Sequence, residues 1–275
     1  VLKFHIISEI ANRTCRTMAD ISAWYQRTLA KYQRYDMTLE DLRLIMQQLI
    51  DDMAIKPNPE RPNEFVATEL GHCANFFYLD PANLADYVRN FNQVFKDHAL
   101  EDHRILWALS HLRSYGEMIV SRAEMHLLDG SLSGMPVARD LNMGQQKVFL
   151  CYLNMMHGQS SGILAPTHRA LSSDWERTIM ALQYLDGKFA KWNRPAIWKA
   201  YGIRLKYGVP EQLVPLCMMR GVGASYATKL YGAGITTPEL FYRKPKLAKE
   251  ALGEKVFARI YEANHDIHEE VMNRD

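Results

Sequence analysis

The stretch "LCMMRGVGASYATKLYGAGI", Leu216–Ile235, sets Gly221 and Gly223 on either side of Val222, between two short apolar-periodic segments. Glycine inside a helix costs about 1 kcal/mol against alanine, so the pair predicts a turn. Leu216, Met219, Ala227 and Leu230 have the spacing to close two helices on each other, with Val222 tucked inward. Backbone freedom at both glycines then aims the amides around Gly221–Ser225 outward at the start of the second helix. Free N–H groups at a helix start attract anions, and a concave run of them suits a phosphate oxygen. Arg220, Ser225 and Lys229 stand close enough to add charge and hydrogen bonds. The chemistry is binding of a nucleic-acid backbone, salt-sensitive and blind to base sequence. This is a helix-hairpin-helix element; the competing reading is a tight corner or a protein-docking hairpin.

A second constellation lies upstream. Arg177 and Tyr184 are seven residues apart in a long helical pattern, and Lys188 and Lys191 follow. Two turns along one face, they form a strip that pairs phosphates with a base-stacking ring, a stacked base contributing about 1–3 kcal/mol. On pattern alone, a Tyr184 packed in a bundle and an Arg177 in a surface ion pair are the favoured account of the same spacing. His265 and His268 beside Glu269 and Glu270 offer half of a metal site. Two ligands do not make a zinc centre, so a solvated helix face is expected and no metal ligands are assigned.

The elements that must position these residues fill a chain of 275 residues, enough for two or three cores. No apolar run approaches the roughly 20 residues of a membrane span. No basic stretch leads into an apolar core and cleavage site at the start, so no secretory signal is expected. Four cysteines lie far apart without a C-x-x-C pair, which fits a reducing, intracellular compartment. Net charge is +2, but Lys199–Lys249 carries nine Lys/Arg against Glu211 and Glu239. Tyrosines are interleaved in this basic patch, a pattern suited to a polyanion.

Three segments emerge. In residues 1–72, "VLKFHIISEIAN" is helical, a second helix is expected from Thr17 to about Lys31, and a third from Thr38. The third carries Leu39, Leu42, Ile45, Met46, Leu49 and Ile50 on one face. Two β-like runs around a Pro/Asn-rich turn follow, the order of a winged-helix domain. Residues 73–203 read as a helical bundle, with Asp80 and Pro81 starting one helix and another running from Ser173 to about Trp192. "DGSLSGMP" and "HGQSSG" read as loops. In residues 204–275, Pro210 opens a helix to Leu216, "GVG" breaks it, and a second helix spans about Ala224–Tyr231. Gly253 before a short helix with Ala258 suggests a degenerate second copy of the hairpin. The fold class expected is mainly α.

"GIRLKYGVPEQLVPLCMMRGVGASYATKLYGAGI" closely resembles the C-terminal helix-hairpin-helix region of superfamily 2 DNA repair helicases of the archaeal Hjm and animal HELQ type. "ATELGHCANFFYLDP" (Ala67–Pro81) resembles that family's passage from winged helix into its helical ratchet domain, and "SSDWERTIMALQYL" resembles its ratchet helix. The resemblance spans essentially the whole chain and is weakest over Ser114–Arg139. It implies that Arg177 and Tyr184 contact an unwound single strand, and this shifts the balance for that pair toward DNA contact. Tyrosine stands where tryptophan is usual, which implies weaker stacking.

The sequence contains neither G-x-x-x-x-G-K-[ST] nor an Asp-Glu-x-His box, so no catalytic residue is expected here. The resemblance assigns ATP and Mg²⁺ to motor domains of the same helicase, and single-stranded or forked DNA, with replication or repair proteins, as partners. It implies a winged helix that braces the motor and a ratchet that grips the strand as ATP cycles move it 3′ to 5′. It further implies a hairpin domain that holds the emerging backbone as a brake. A protein-interaction scaffold like the equivalent cassette of spliceosomal RNA helicases is one alternative; a stand-alone single-strand-binding module is another.

Overall fold

Side-chain caps set the register of the first helices in the computed structural model, which describes residues 2–96, 100–159 and 162–265. Here α1 is Leu2–Ala11, α2 Met18–Tyr25, α3 Leu29–Tyr32 and α4 Leu39–Asp51. Thr17 and Thr38 each accept the amide of an aspartate three residues on, Asp20 or Asp41, whose carboxylate bonds back to the cap amide. These reciprocal bonds satisfy donors that a helix start leaves orphaned. The single helix expected over Thr17–Lys31 is two: the Thr28 hydroxyl donates to the Tyr25 carbonyl at 2.7 Å and accepts the Lys31 amide, ending one helix and starting the next.

Leu42, Met46 and Leu49 of α4 are buried with Ile6, Ile7, Ile10, Ile21 and Tyr25, whereas Leu39 is 46% exposed rather than on the core face. β1 (Ile55–Pro57) pairs antiparallel with β2 (Phe65–Ala67), Ile55 opposite Ala67. Thr68 then joins the hairpin to α5 (Glu69–Phe77): its hydroxyl donates to the Met53 carbonyl and accepts the Gly71 amide. Gly71 is dictated by close approach, since a Cβ there would lie 2.1 Å from the Ala54 carbonyl oxygen.

The remaining described helices are α6 (Pro81–Val94), α7 (Asp102–Ser110), α8 (Arg113–Gly116), α9 (Arg122–Leu132), α10 (Met143–Met156) and α11 (Ala165–Leu185). They continue as α12 (Pro195–Tyr207), α13 (Val214–Cys217), α14 (Ala224–Gly232), α15 (Pro238–Arg243), α16 (Pro245–Leu252) and α17 (Glu254–Ala263). The chain is therefore mainly helical. It forms two compact units, Val1–Phe149 with Arg177–Pro195, and Leu150–Glu176 with Ala196–Asp275.

Three expectations about helix ends are corrected. α11 starts at Ala165 rather than Ser173, because the Ser173 hydroxyl bonds back to the Ala170 carbonyl at 2.8 Å instead of capping. α9 runs through Asp129–Leu132, the first half of the expected "DGSLSGMP" loop; Leu128 and Leu132, buried one turn apart, outweigh the local cost of Gly130. The expected helix from Pro210 to Leu216 is a 3₁₀ turn, Glu211–Leu213, followed by the short α13. Ser160 and Ser161 of "HGQSSG" lie outside the described residues.

The first unit is held partly by charge. Arg113 on α8 donates through Nη2 to Asp52 at 2.7 Å and through Nε to both oxygens of Asp86, at 3.0 and 3.1 Å. Arg89 reaches Asp86 and the Asp51 carbonyl. Further along, Lys147 pairs with Glu124 at 2.7 Å, both side chains about nine-tenths buried at 10% and 11% exposure. The Lys147 ammonium, and then the Ser121 amide, hold the Glu124 carboxyl below the usual carboxylate range.

A carboxyl with a depressed folded pKa stabilises the fold above its unfolded value, about 4.3. That contribution is lost as pH falls through the folded value. Lys147→Met is therefore expected to lower the urea midpoint at neutral pH by clearly more than at about pH 3.5. Equal losses at both pH values would contradict the pairing.

In the second unit, the Trp175 indole donates to the Gly202 carbonyl at 3.1 Å and meets Tyr152 edge-on. A C-terminal core gathers Leu213, Leu216, Met219, Val222, Ala227, Leu230, Ile235, Phe241 and Ile260. All four cysteines are buried thiols; burial pushes Cys73 up to about 12 and Cys217 up to about 11, so both stay protonated. Among the described residues, no helix is long and apolar enough to cross a membrane. Nor does any group of three or more His, Cys, Asp or Glu there suit a metal ion. His265 is described; His268, Glu269 and Glu270 lie outside the described residues.

Candidate nucleic-acid interface

In the first unit, the C-terminal half of α11 buries Thr178, Ile179, Ala181, Leu182 and Leu185. Arg177, Met180 and Tyr184 share the opposite face, with Met180 47% exposed and Arg177 and Tyr184 partly exposed. Lys188 is exposed in a π-helical turn, Asp186–Ala190, that extends the helix. Such turns recur at functional sites. This one is braced by the Asp186 carboxylate, 4% exposed, which accepts the amides of Asn193 at 2.6 Å and Arg194 at 2.8 Å. Arg177 and Tyr184 thus lie two turns apart and partly exposed, and the exposed Lys188 follows four residues on in the π turn. Lys191, also exposed, follows with a left-handed backbone.

Tyr184 is positioned from α5, which its own sequence neighbourhood does not reveal. Its hydroxyl donates to Glu69 Oε2 at 2.6 Å, and its ring meets Phe77 in a T-shaped contact at 6.2 Å. Burial, and then the Glu69 carboxylate, push the phenol up to about 12, so it stays a neutral donor. The ring is fixed at its tip and along one edge. The same Glu69 places a carboxylate at that tip.

In the second unit, α13 and α14 flank the glycine turn. Val222 is 2% exposed and its amide donates to the Met219 carbonyl at 3.1 Å, so the inward valine is found. The two glycines play different parts. Gly221 has φ +83°, a left-handed backbone that favours glycine. Gly223 has φ −98° and ψ −175°, extended backbone that any residue adopts, which corrects the expectation that both need unusual angles. A Cβ at Gly223 would lie 3.9 Å from the Tyr207 ring, an ordinary contact.

What Gly223 contributes is a bare helix start. It is the N-cap of α14 without a side-chain cap, and the amides of Ala224, Ser225 and Tyr226 fall in the first turn, where no intrahelical carbonyl reaches them. Ser225 and Lys229 are exposed one turn apart beside those amides.

Arg220 is tied into the scaffold more than its sequence position suggests. Its amide donates to Asn264 Oδ1 at 2.7 Å, its carbonyl accepts from Asn264 Nδ2 at 3.0 Å, and its guanidinium donates to the Ala263 carbonyl at 3.1 Å. Asn264 is 1% exposed and just beyond α17, and Tyr242 donates to its carbonyl at 2.7 Å. The sequence marks Asn264 only as a polar residue closing a helix with strong apolar spacing. The suspected second copy exists as helix–glycine–helix, with Gly253 at φ +81° like Gly221. Its Ala258 is exposed whereas Ala227 is buried, so the packing is not repeated.

No known protein-family profile matches the chain. It is similar to the ATP-dependent DNA helicase Hel308 of Pyrobaculum calidifontis, 23% identical over 249 residues that cover 86% of this chain and 35% of that protein. The Hel308 of Thermoplasma acidophilum is 23% identical over 245 residues, with the same shares. That of Caldivirga maquilingensis is 23% identical over 308 residues, covering 97% of this chain and 39% of that protein. The likeness to superfamily 2 DNA helicases that rested on the hairpin and two upstream stretches is thereby found over most of the chain. The chain spans little more than a third of the length of these relatives.

Proposed function

We propose that the chain is the C-terminal, DNA-handling portion of an ATP-dependent superfamily 2 DNA helicase. Residues 1–72 act as its winged helix, 73–203 as its ratchet bundle and 204–275 as its helix-hairpin-helix domain. The observation that carries the reading is the extent of the match: 86–97% of this chain aligns with 35–39% of three DNA helicases. ATP and Mg²⁺ belong, on this reading, to motor domains of the same helicase, and no residue of this chain is assigned a catalytic step. Arg177 and Lys188 neutralise phosphates while Tyr184 stacks a base. The amides after Gly223, with Ser225, Lys229 and the Arg220 charge, hold a further phosphate.

The glycines separate binding from folding. Gly223→Val meets no backbone strain but covers the bare helix start. It is expected to weaken single-strand binding about tenfold, the order of one lost charge-assisted hydrogen bond, with a stability loss of no more than about 1 kcal/mol from an apolar residue at the N-cap. Gly221→Val forces a branched residue into left-handed backbone, at a cost of about 1–2 kcal/mol, and is expected to lower stability. Unchanged affinity in a folded Gly223→Val chain would sink the phosphate assignment.

A second reading, a protein-interaction scaffold, is favoured by one feature. Leu29, Tyr32, Tyr35, Leu39 and Leu44 are all exposed, by 46–85%. Beside them runs a largely apolar groove of about 680 Å³ lined in part by Trp24, Leu29, Tyr35 and Met37. Comparing binding of the chain to single-stranded DNA, single-stranded RNA and duplex at low salt distinguishes the readings. Preference for single-stranded DNA is expected; preference for RNA would favour an RNA-helicase cassette, and no binding would favour the scaffold.

A further inference from the structure

A polar pocket of about 390 Å³ opens in the first unit between the end of α1, the β-hairpin and α5. Three arginines line it, Arg13, Arg16 and Arg61, together with Asn58, His72 and one acid, Glu64. Neither the strip on α11 nor the glycine hairpin includes any of them.

Each wall is fixed by backbone bonds. Arg13 sits where the chain leaves α1, its amide donating to the Ile10 carbonyl at 3.0 Å with φ +62°. The Arg16 carbonyl accepts the Phe65 amide at 2.6 Å, which pins that loop to β2. Arg61 belongs to the hairpin tip, closed by Asn58 N–H to the Glu64 carbonyl at 2.8 Å and Glu60 N–H to Asn58 Oδ1 at 3.0 Å.

Charge in the pocket is unbalanced. The Arg61–Glu64 ion pair, at 3.2 Å, joins side chains 64% and 21% exposed, and an exposed pair of this kind contributes little and is readily exchanged. Glu9, Asp20 and Glu60 lie close in sequence but outside the lining; of these, Asp20 accepts the Arg16 and Thr17 amides and also interacts with the Arg16 charge. Two guanidiniums thus remain in excess over the lining carboxylate. Guanidinium forks match the geometry of a phosphate bidentately, and the volume is at the small end of ligand clefts, about 300–1,000 Å³. His72 also stands on α5 one turn after Glu69, the residue that bonds Tyr184.

We propose that this pocket binds a backbone phosphate of nucleic acid, with Arg13 and Arg16 as its clamp and Arg61 exchanging Glu64 for the phosphate. The hairpin of the first segment is then a strand-contacting element as well as a brace. The inference rests on the strand-handling reading and extends it to residues that reading leaves unused.

The test compares the full 275-residue chain with Arg13→Ala/Arg16→Ala and, separately, Arg61→Gln, all at exposed positions. Binding to labelled oligothymidylate and to a duplex is followed by anisotropy between about 50 and 200 mM salt. For the double variant, the log–log salt slope is expected to fall by about 1–2 units on at least one DNA, with an unchanged thermal midpoint. Arg61→Gln is expected to lower it by up to about one unit.

Unaltered slopes on both DNAs, while Gly223→Val still weakens binding, would overturn the pocket and leave the strand-handling reading intact. Absence of DNA binding by the unaltered chain would overturn both. If the double variant lost affinity for polyglutamate and kept its DNA slopes, the pocket would belong to an acidic protein partner and the proposal would fail.

Discussion

Arg113→Ala is expected to lower the unfolding free energy by about 3 kcal/mol, the order found when one partner of a buried ion pair is removed. The reason lies in the two carboxylates it serves. Asp52 and Asp86 are 2% and 8% exposed at their side chains, while Arg113 itself is 56% exposed. Burial alone would lower the guanidinium pKa, but its hydrogen bonds to Asp86 and then Asp52 outweigh it and raise the pKa. Among the described residues, Arg113→Ala leaves Asp52 with Lys3 at 4.0 Å, and Asp86 with Arg89 and the residue-113 amide at 2.9 Å. Arg113→Lys cannot span both acids, since it replaces a planar fork with one point charge, and is expected to fall between. Urea denaturation gives the number; a loss below about 1 kcal/mol would mean that water already screens both acids.

The largest expected effect on binding belongs to the α11 strip. Tyr184→Ala is expected to weaken single-stranded DNA binding about tenfold, within the 1–3 kcal/mol of a stacked base. Adding Arg177→Ala is expected to bring the loss to about a hundredfold at low salt. Tyr184→Phe separates stacking from scaffolding: it forfeits the bond to Glu69 but keeps the ring against Phe77, so affinity should stay near that of the unaltered chain. If Tyr184→Phe were as damaging as Tyr184→Ala, the residue would matter through Glu69 and the stacking role would fall.

Much of the architecture was legible where one local signal dominated. Thr38, and Asp80 with Pro81, each start a helix where the sequence places it. The reading failed where a local signal competed with burial. Gly130 argued for a loop and lost to Leu128 and Leu132, and the serines before Asp174 looked like a helix start while Ala165–Leu171 already formed one.

At the candidate sites the strip and the hairpin could be read because their spacing lies within one or two helices. The residues that hold them could not. Glu69 is 115 positions from Tyr184 and Asn264 is 44 from Arg220. Such pairings are decided by tertiary packing and leave no periodic trace. Gly223 shows a subtler limit, because composition cannot tell a glycine needed for its backbone from one needed for its missing side chain.

The most direct test of strand handling is the salt dependence of single-stranded DNA affinity in the unaltered chain. If Arg177, Lys188, Arg220 and Lys229 all neutralise phosphates, log affinity should fall against log salt with a slope of about −2 to −3, at roughly −0.7 per contact. The pocket of Arg13, Arg16 and Arg61 would steepen it further. No binding at about 50 mM salt, or an affinity indifferent to salt up to about 200 mM, would contradict the account.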